Sequence, residues 1–172
     1  MFSLRAASNN DLEQIMEIIA QCQQLLRSRG VDQWQDGYPT KEAIEDDIEH
    51  QQGYLLLKDG AIAAYGAIVC AEEPAYTELK GGRWLSQQEY ITLHRLAVAN
   101  TFRGKKIGFN FFKMMEQEAV KRKIYSLRAD THRDNVVMLR LLEFCGFTLC
   151  GDVYYRGSHR FAFEKVLMIP SK

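Results

Sequence analysis

FRGKKIG, residues 102–108, separates a strand-like stretch, YITLHRLAV (90–98), from an apolar, helix-patterned run, FNFFKMMEQEAV (109–120). Two glycines, an arginine and two lysines in a gap between a strand and a helix predict a phosphate cradle. A helix start offers backbone N–H groups without intrahelical partners and about half a positive charge, so anions settle there. Gly104 and Gly108 let the backbone approach an anion without side-chain obstruction, and Arg103, Lys105 and Lys106 add fixed positive charge. By itself the run reads equally well as a strand-to-helix loop with a solvated basic cluster. Two other nucleotide loops are excluded: Gly-x-x-x-x-Gly-Lys-Ser/Thr is absent, and the glycine spacing of the dinucleotide fingerprint does not occur.

Working outward, FSLRAA alternates as a half-buried strand does, and Asn10 with Glu13 resembles a capping box opening a helix to about Arg29. Leu12, Ile15, Met16, Ile19, Cys22 and Leu26 fall on one face of that helix, and Gly30 terminates it. VDQWQDGYP has turn chemistry around Trp34 and Tyr38, and Thr40 caps a second, acidic helix, KEAIEDDIEH. GYLLLKDGAIAAYGAIVC is a hairpin turned at Asp59-Gly60, and EEPAYTELKGGRWLSQQE, polar and aperiodic, reads as a loop. A helix from about Lys106 to Lys123, a strand SLRADT, a helix capped by Asp134 and stopped at Gly146, and strands TLCGDVYYR and RFAFEKVL complete the chain. A hairpin followed by alternating strands and helices predicts an α/β (α+β) fold: a mixed, mostly antiparallel sheet of about seven strands with helices on both faces.

Length and composition bound the function. The 172 residues are 47% hydrophobic and suit one domain over residues 1–172. Lys plus Arg and Asp plus Glu both total 22, a balance that leaves no footprint for a dedicated nucleic-acid binder. The first residues, MFSLRAASNNDLEQ, lack the pattern of a secretory signal, and the longest near-apolar run, AIAAYGAIVCA, is shorter than a membrane span of ~20 residues. A cytoplasmic protein without a membrane partner is the expectation. Cys22, Cys70, Cys145 and Cys150 are widely spaced in apolar pattern, which favours reduced core thiols, and no metal constellation is expected from them with His50, His94, His132 and His159.

The order LHRLAVANTFRGKKIGFNFF, then a strand, then DNVVMLRLLEFCGF resembles the GNAT superfamily of acyl-CoA-dependent N-acetyltransferases. The signature of that family is Leu-x-Val, a loop of the form Arg/Gln-x-x-Gly-x-Gly/Ala, and a later Asn ending in Gly-Phe. The resemblance covers nearly the whole chain in element order, with its specific motifs between Leu96 and Phe147. It implies acetyl-CoA as co-substrate, with Leu96, Ala97 and Val98 holding the pantetheine arm through their backbone. Arg103, Gly104, Lys105, Lys106, Ile107 and Gly108 would hold the pyrophosphate, and Asn135 would approach the coenzyme from the next helix. Two positions depart from the pattern. Lys106 stands where the family prefers glycine, a substitution that matters if the position demands positive φ. Leu142 stands where many members carry a tyrosine as acid toward the departing thiolate.

The resemblance implies acetyl transfer by direct attack of a primary amine in a ternary complex, which requires a neutral amine and hence a base. His94, two residues before Leu96, is the first candidate, at a position where arylalkylamine N-acetyltransferases also carry a histidine; a structural histidine bonded to neighbouring backbone is the competing role. Glu72, Glu73 and Glu89 flank the same loop and can act through water, Glu73 also lining the acceptor site, or be solvated loop carboxylates. Tyr154 and Tyr155 are candidate replacements for the missing acid, or packing residues. The family's usual acceptor wall places Trp34 and Tyr38 beside the substrate. The acceptor is expected to be a small-molecule amine or a peptide amino group, and exposed strand edges near the carboxyl terminus leave room for a homodimer. The alternative is a non-catalytic acyl-CoA-binding or interaction module of the same fold.

Overall fold

Alternation at the start of the chain forms β1 (Phe2–Ala6), and a short 3₁₀ turn then leads into α1 (Leu12–Ser28) in this computed structural model, which describes residues 1–168. The capping box is closed by Ser8 and Asp11, not by Asn10 and Glu13. The Asp11 carboxylate accepts from both the backbone N–H and the hydroxyl of Ser8, at 2.9 Å each. It also takes a two-pronged bond from Arg5 at 2.7 and 2.9 Å, which ties β1 to the helix start. α2 (Lys41–Glu49) begins at Thr40, whose hydroxyl accepts from the Ala43 N–H at 3.3 Å, as its sequence predicts.

β2 (Gly53–Lys58) and β3 (Ala61–Val69) form the expected hairpin, with Asp59 and Gly60 both at positive φ, 51° and 84°. β4 (Ile91–Val98), α3 (Ile107–Lys121), β5 (Ser126–His132), α4 (Val136–Phe144), β6 (Thr148–Tyr155) and β7 (Ser158–Val166) follow. The strands make one seven-stranded open sheet in the order β1-β2-β3-β4-β5-β7-β6, with β4 and β5 parallel and β1-β2, β2-β3, β5-β7 and β6-β7 antiparallel. The cap of α4 is Asn135 rather than Asp134, its side-chain oxygen accepting from Met138 N–H at 3.2 Å.

Two compact units divide the chain, one of Met1–Ile68 with Arg95–Met114 and one of Val69–His94 with the chain from Met115 onward. In the first, Ile15, Ile18 and Ile19 of α1 and Ile44 of α2 pack with Leu55, Tyr65, Ala97 and Ala99. In the second, Tyr76, Val153 and Ala162 form a smaller cluster joined by Trp84 and Tyr90. The 72–89 stretch is therefore not a solvated loop throughout: it contains a 3₁₀ turn, Pro74–Glu78, whose Tyr76 is 2% exposed. Gly82 shows why glycine stands in that stretch, since a Cβ there would lie 1.9 Å from the Cys150 carbonyl oxygen. All four cysteines are free, but Cys70 is exposed and so is not the core thiol expected from its apolar surroundings.

Candidate active site

Residues 102–108 lead from β4 into a helix start, with one backbone cost. α3 opens at Ile107, and the N–H groups of Gly104, Lys106, Ile107 and Gly108 meet no protein acceptor among the described residues. Gly104 has φ 76°, and a Cβ there would meet nothing within 4 Å. Lys106 has φ 57°, so the position does demand the left-handed conformation for which the family prefers glycine. The cationic side chains are partly committed elsewhere. Arg103 donates to the Gln21 carbonyl at 3.2 Å, and Lys105 donates to the Thr101 carbonyl at 2.9 Å while lying over the Phe102 ring. Among the described residues the N–H groups at 104, 106, 107 and 108 are thus less engaged than the Arg103 and Lys105 side chains.

β4 leads into this cradle through a second left-handed residue, Arg95, with φ 58° in the middle of a strand. Its guanidinium is held by a buried carboxylate. Arg95 Nε donates to Asp47 Oδ2 at 2.8 Å, Nη2 donates to Oδ1, and Nη1 donates to the Tyr38 hydroxyl at 2.5 Å. The Tyr65 hydroxyl donates to the same Asp47, which is 1% exposed. Burial and then the Asp47 charge push the Tyr65 hydroxyl far above its ordinary range, so it stays a donor. Ala97, expected to hold the pantetheine arm together with Leu96 and Val98, is 1% exposed and packs in the core, so only its backbone is available for such a role.

In the second unit, His94 Nε2 lies 3.3 Å from Glu73 Oε2, both side chains being largely buried. The contact lacks hydrogen-bond geometry, and Nε2 has no hydrogen-bond partner. The Tyr155 ring stacks on the imidazole at 5.7 Å, with 20° between the planes. Glu73 is placed by the turn that it caps: its side chain accepts from Ala75 N–H at 3.4 Å, and its own N–H donates to the Tyr90 hydroxyl at 2.9 Å. Tyr76 in turn anchors that turn by donating to Asp130 at 2.8 Å. Downstream, fully buried Glu164 fixes the 84–86 stretch, accepting from Leu85 N–H and from the Ser86 and Ser126 hydroxyls at 2.5 to 2.6 Å. Arg128 is sandwiched between the rings of Trp84 and Tyr90 at 4.0 Å from each.

Of the two candidate acids, Tyr155 is brought to His94, whereas Tyr154 is 58% exposed and sits edge-on to His159. Leu142 is fully buried, so its slot contributes packing and no proton. Tyr38 is engaged by Arg95, and Trp34, at φ 65°, packs against the core of the first unit; both have structural duties in the segment expected to line the acceptor site. Asn135 spends its side-chain oxygen on the α4 cap. Glu72 and Glu89, with Tyr76, Trp84, Tyr90 and Arg128, line a cavity of about 520 Å³ in the second unit. Sequence reasoning passed over Arg95, Asp130 and Arg160. For Arg95 the signal was available, since it is the one Lys, Arg, Asp or Glu in β4, ITLHRLAV, where burial requires a partner.

The family profile described as the acetyltransferase (GNAT) family matches residues 12–147. The chain belongs to that family. A GNAT acetyltransferase from Streptococcus agalactiae shares 34% identity over 97% of this chain and 96% of its own, with a TM-score of 0.91. A GNAT acetyltransferase from Listeria monocytogenes is 22% identical over 96% of this chain and 95% of its own, with a TM-score of 0.76. The PaiA N-acetyltransferase of Thermoplasma acidophilum, solved in complex with coenzyme A, is 19% identical over 96% of this chain and 99% of its own, with a TM-score of 0.70. The last two share the GNAT fold. No curated protein is detectably similar in sequence. Among the described residues no helix is long and apolar enough to cross a membrane, and no group of His, Cys, Asp and Glu could hold a metal ion.

Proposed function

We propose that this GNAT protein is an acetyl-CoA-dependent N-acetyltransferase acting on a primary amine by direct attack in a ternary complex, with residues 1–172 as one catalytic domain. The observation that carries the reading is the cradle: four N–H groups at residues 104, 106, 107 and 108, at the start of a helix, that no acceptor among the described residues engages, in a chain of this family. These N–H groups, with Lys106, would hold the pyrophosphate, and the β4 backbone at Leu96 and Val98 would hold the pantetheine arm. The coenzyme supplies an acetyl thioester when bound. His94 Nε2, without a hydrogen-bond partner, takes the proton from the acceptor ammonium, and Glu73 beside it stabilises the imidazolium that results. As the amine nitrogen forms its bond to the acetyl carbon and the C–S bond breaks, the Tyr155 hydroxyl gives its proton to the departing sulfur and is restored by the second proton that the nitrogen sheds on becoming an amide.

Burial of Leu142 favours one competitor, a coenzyme-binding module without turnover. Calorimetric titration with acetyl-CoA and an assay of thiol release with and without added amines separate the two. The expected result is micromolar binding, release that depends on amine, and loss of binding in Gly104→Glu, which fills the open space of the cradle with bulk and negative charge. Saturable binding without amine-dependent release would establish the module instead. A folded wild type that does not bind acetyl-CoA would refute both.

A further inference from the structure

Four buried side-chain atoms lack a hydrogen-bond partner among the described residues: Thr92 Oγ1, His94 Nε2, Arg128 Nε and Arg160 Nε. Such atoms are rare in folded proteins, and each calls for a missing water or ligand. All four belong to β4, β5 and β7 of the second unit. They share a face: Thr92 is opposite Arg128 in the β4-β5 register, His94 lies two residues beyond Thr92, and Arg160 pairs with His132, four residues beyond Arg128. Two of the four are obligate donors, and the others can donate.

The carboxylates on this face are already engaged. Asp130, 3% exposed, accepts from the Tyr76 hydroxyl at 2.8 Å and from Arg160 Nη1 at 3.2 Å, and Glu164 accepts from the 84–86 stretch and Ser126. Arg160, 11% exposed, has one hydrogen bond from its five N–H donors among the described residues, so the face is short of acceptors rather than donors. Its guanidinium carbon lies 5.5 Å from the Tyr155 ring centroid, and the His94 ring lies 5.7 Å from the same centroid. One aromatic ring therefore has the proposed base, with Glu73 beside it, and an under-used guanidinium as its neighbours.

We propose that the acceptor is an amino acid or a similar small molecule in which the reacting amine and a carboxylate occur together, with Arg160 as the carboxylate-binding residue. This rests on the N-acetyltransferase reading and narrows its acceptor class. A planar guanidinium matches a carboxylate with two parallel hydrogen bonds, which gives geometric selectivity that a lone amine site lacks. Asp130 holds Arg160 in place, and Glu73 is the negative group that meets the acceptor's ammonium.

The test is acetyl transfer by the full chain to α- and ω-amino acids, each beside its decarboxylated amine. At least one amino acid should exceed its amine partner 30-fold or more in kcat/KM, mainly through KM. Arg160→Gln should collapse that ratio to within about threefold. Arg160→Lys keeps a cation against Asp130 and so guards against a folding failure; it should retain a reduced preference. Equal or better turnover of the decarboxylated amines, or a preference that survives both substitutions, would overturn the inference and leave the acetyltransferase reading intact. Tight acetyl-CoA binding with transfer to no member of the panel would overturn the two together.

Discussion

Lys106 occupies backbone that costs a side-chain-bearing residue about 1–2 kcal/mol, at φ 57° in the middle of the cradle. Its presence there exchanges conformational ease for a positive charge where the pyrophosphate is expected. The two contributions separate cleanly. Lys106→Gly and Lys106→Ala both remove the charge, so acetyl-CoA affinity should fall about equally in each. Only glycine relieves the strain, so Lys106→Gly should be the more stable of the two by about 1 kcal/mol, a difference of about 2–4 °C in Tm for a chain of this size. Calorimetry of both variants checks it; identical melting temperatures would mean that the loop relaxes around alanine. The sequence identified this residue as the departure from the family pattern, but its φ could be learned only from the folded loop.

At the scale of elements, β4 is the piece on which the proposed chemistry depends, because His94, Arg95 and Leu96 are consecutive in it. Arg95 interrupts the strand's regular alternation, and its guanidinium reaches Asp47 of α2 and Tyr38 of the connection between α1 and α2. Removing one partner of such a buried pair strands the other charge, at a cost of about 3–5 kcal/mol, whereas removing both is far milder. Asp47→Asn should therefore lose about 3 kcal/mol in urea denaturation. Adding Arg95→Gln to it should recover at least about 1 kcal/mol rather than deepen the loss. Strict additivity would show that the clamp is not a coupled unit. The acids of KEAIEDDIEH read either as a rim attractive to a cationic amine or as a solvated helix face; Asp47 is neither, because the helix turns it toward Tyr65 and Arg95.

For the molecule as a whole, charge balances at pH 7, and on acidification the loss of individual paired carboxylates adds to the repulsion among the Lys, Arg and His charges that remain. Asp11 is the clearest of these. The Arg5 guanidinium, with help from Ser8, holds its carboxyl well below the usual carboxylate range. A carboxyl with a depressed folded pKa contributes stability above its unfolded value of about 3.9, and that contribution is lost as pH falls below it. Asp11→Asn should be less stable than the parent at pH 7 by about 1 kcal/mol, a typical loss for a capping residue, with the gap closing toward pH 2. A gap that persists unchanged at pH 2 would assign the loss to shape rather than charge.

By itself the sequence determined the element order, the hairpin at Asp59-Gly60, the Thr40 cap and the family, because each is written in local spacing and turn chemistry. Tertiary structure alone decided which charges are buried and with whom. Glu73 and His94 are separated by 20 intervening residues, Asp47 and Arg95 by 47, and Asp130 and Arg160 by 29, and no local period encodes such pairs. It also set Tyr155, rather than the adjacent Tyr154 on the opposite face of β6, against His94, since that depends on which face the rest of the sheet buries. The physical reason is common to all of these. Patterning sets which residues leave water, whereas desolvation forces each buried charge to find a partner that only the closed fold can supply.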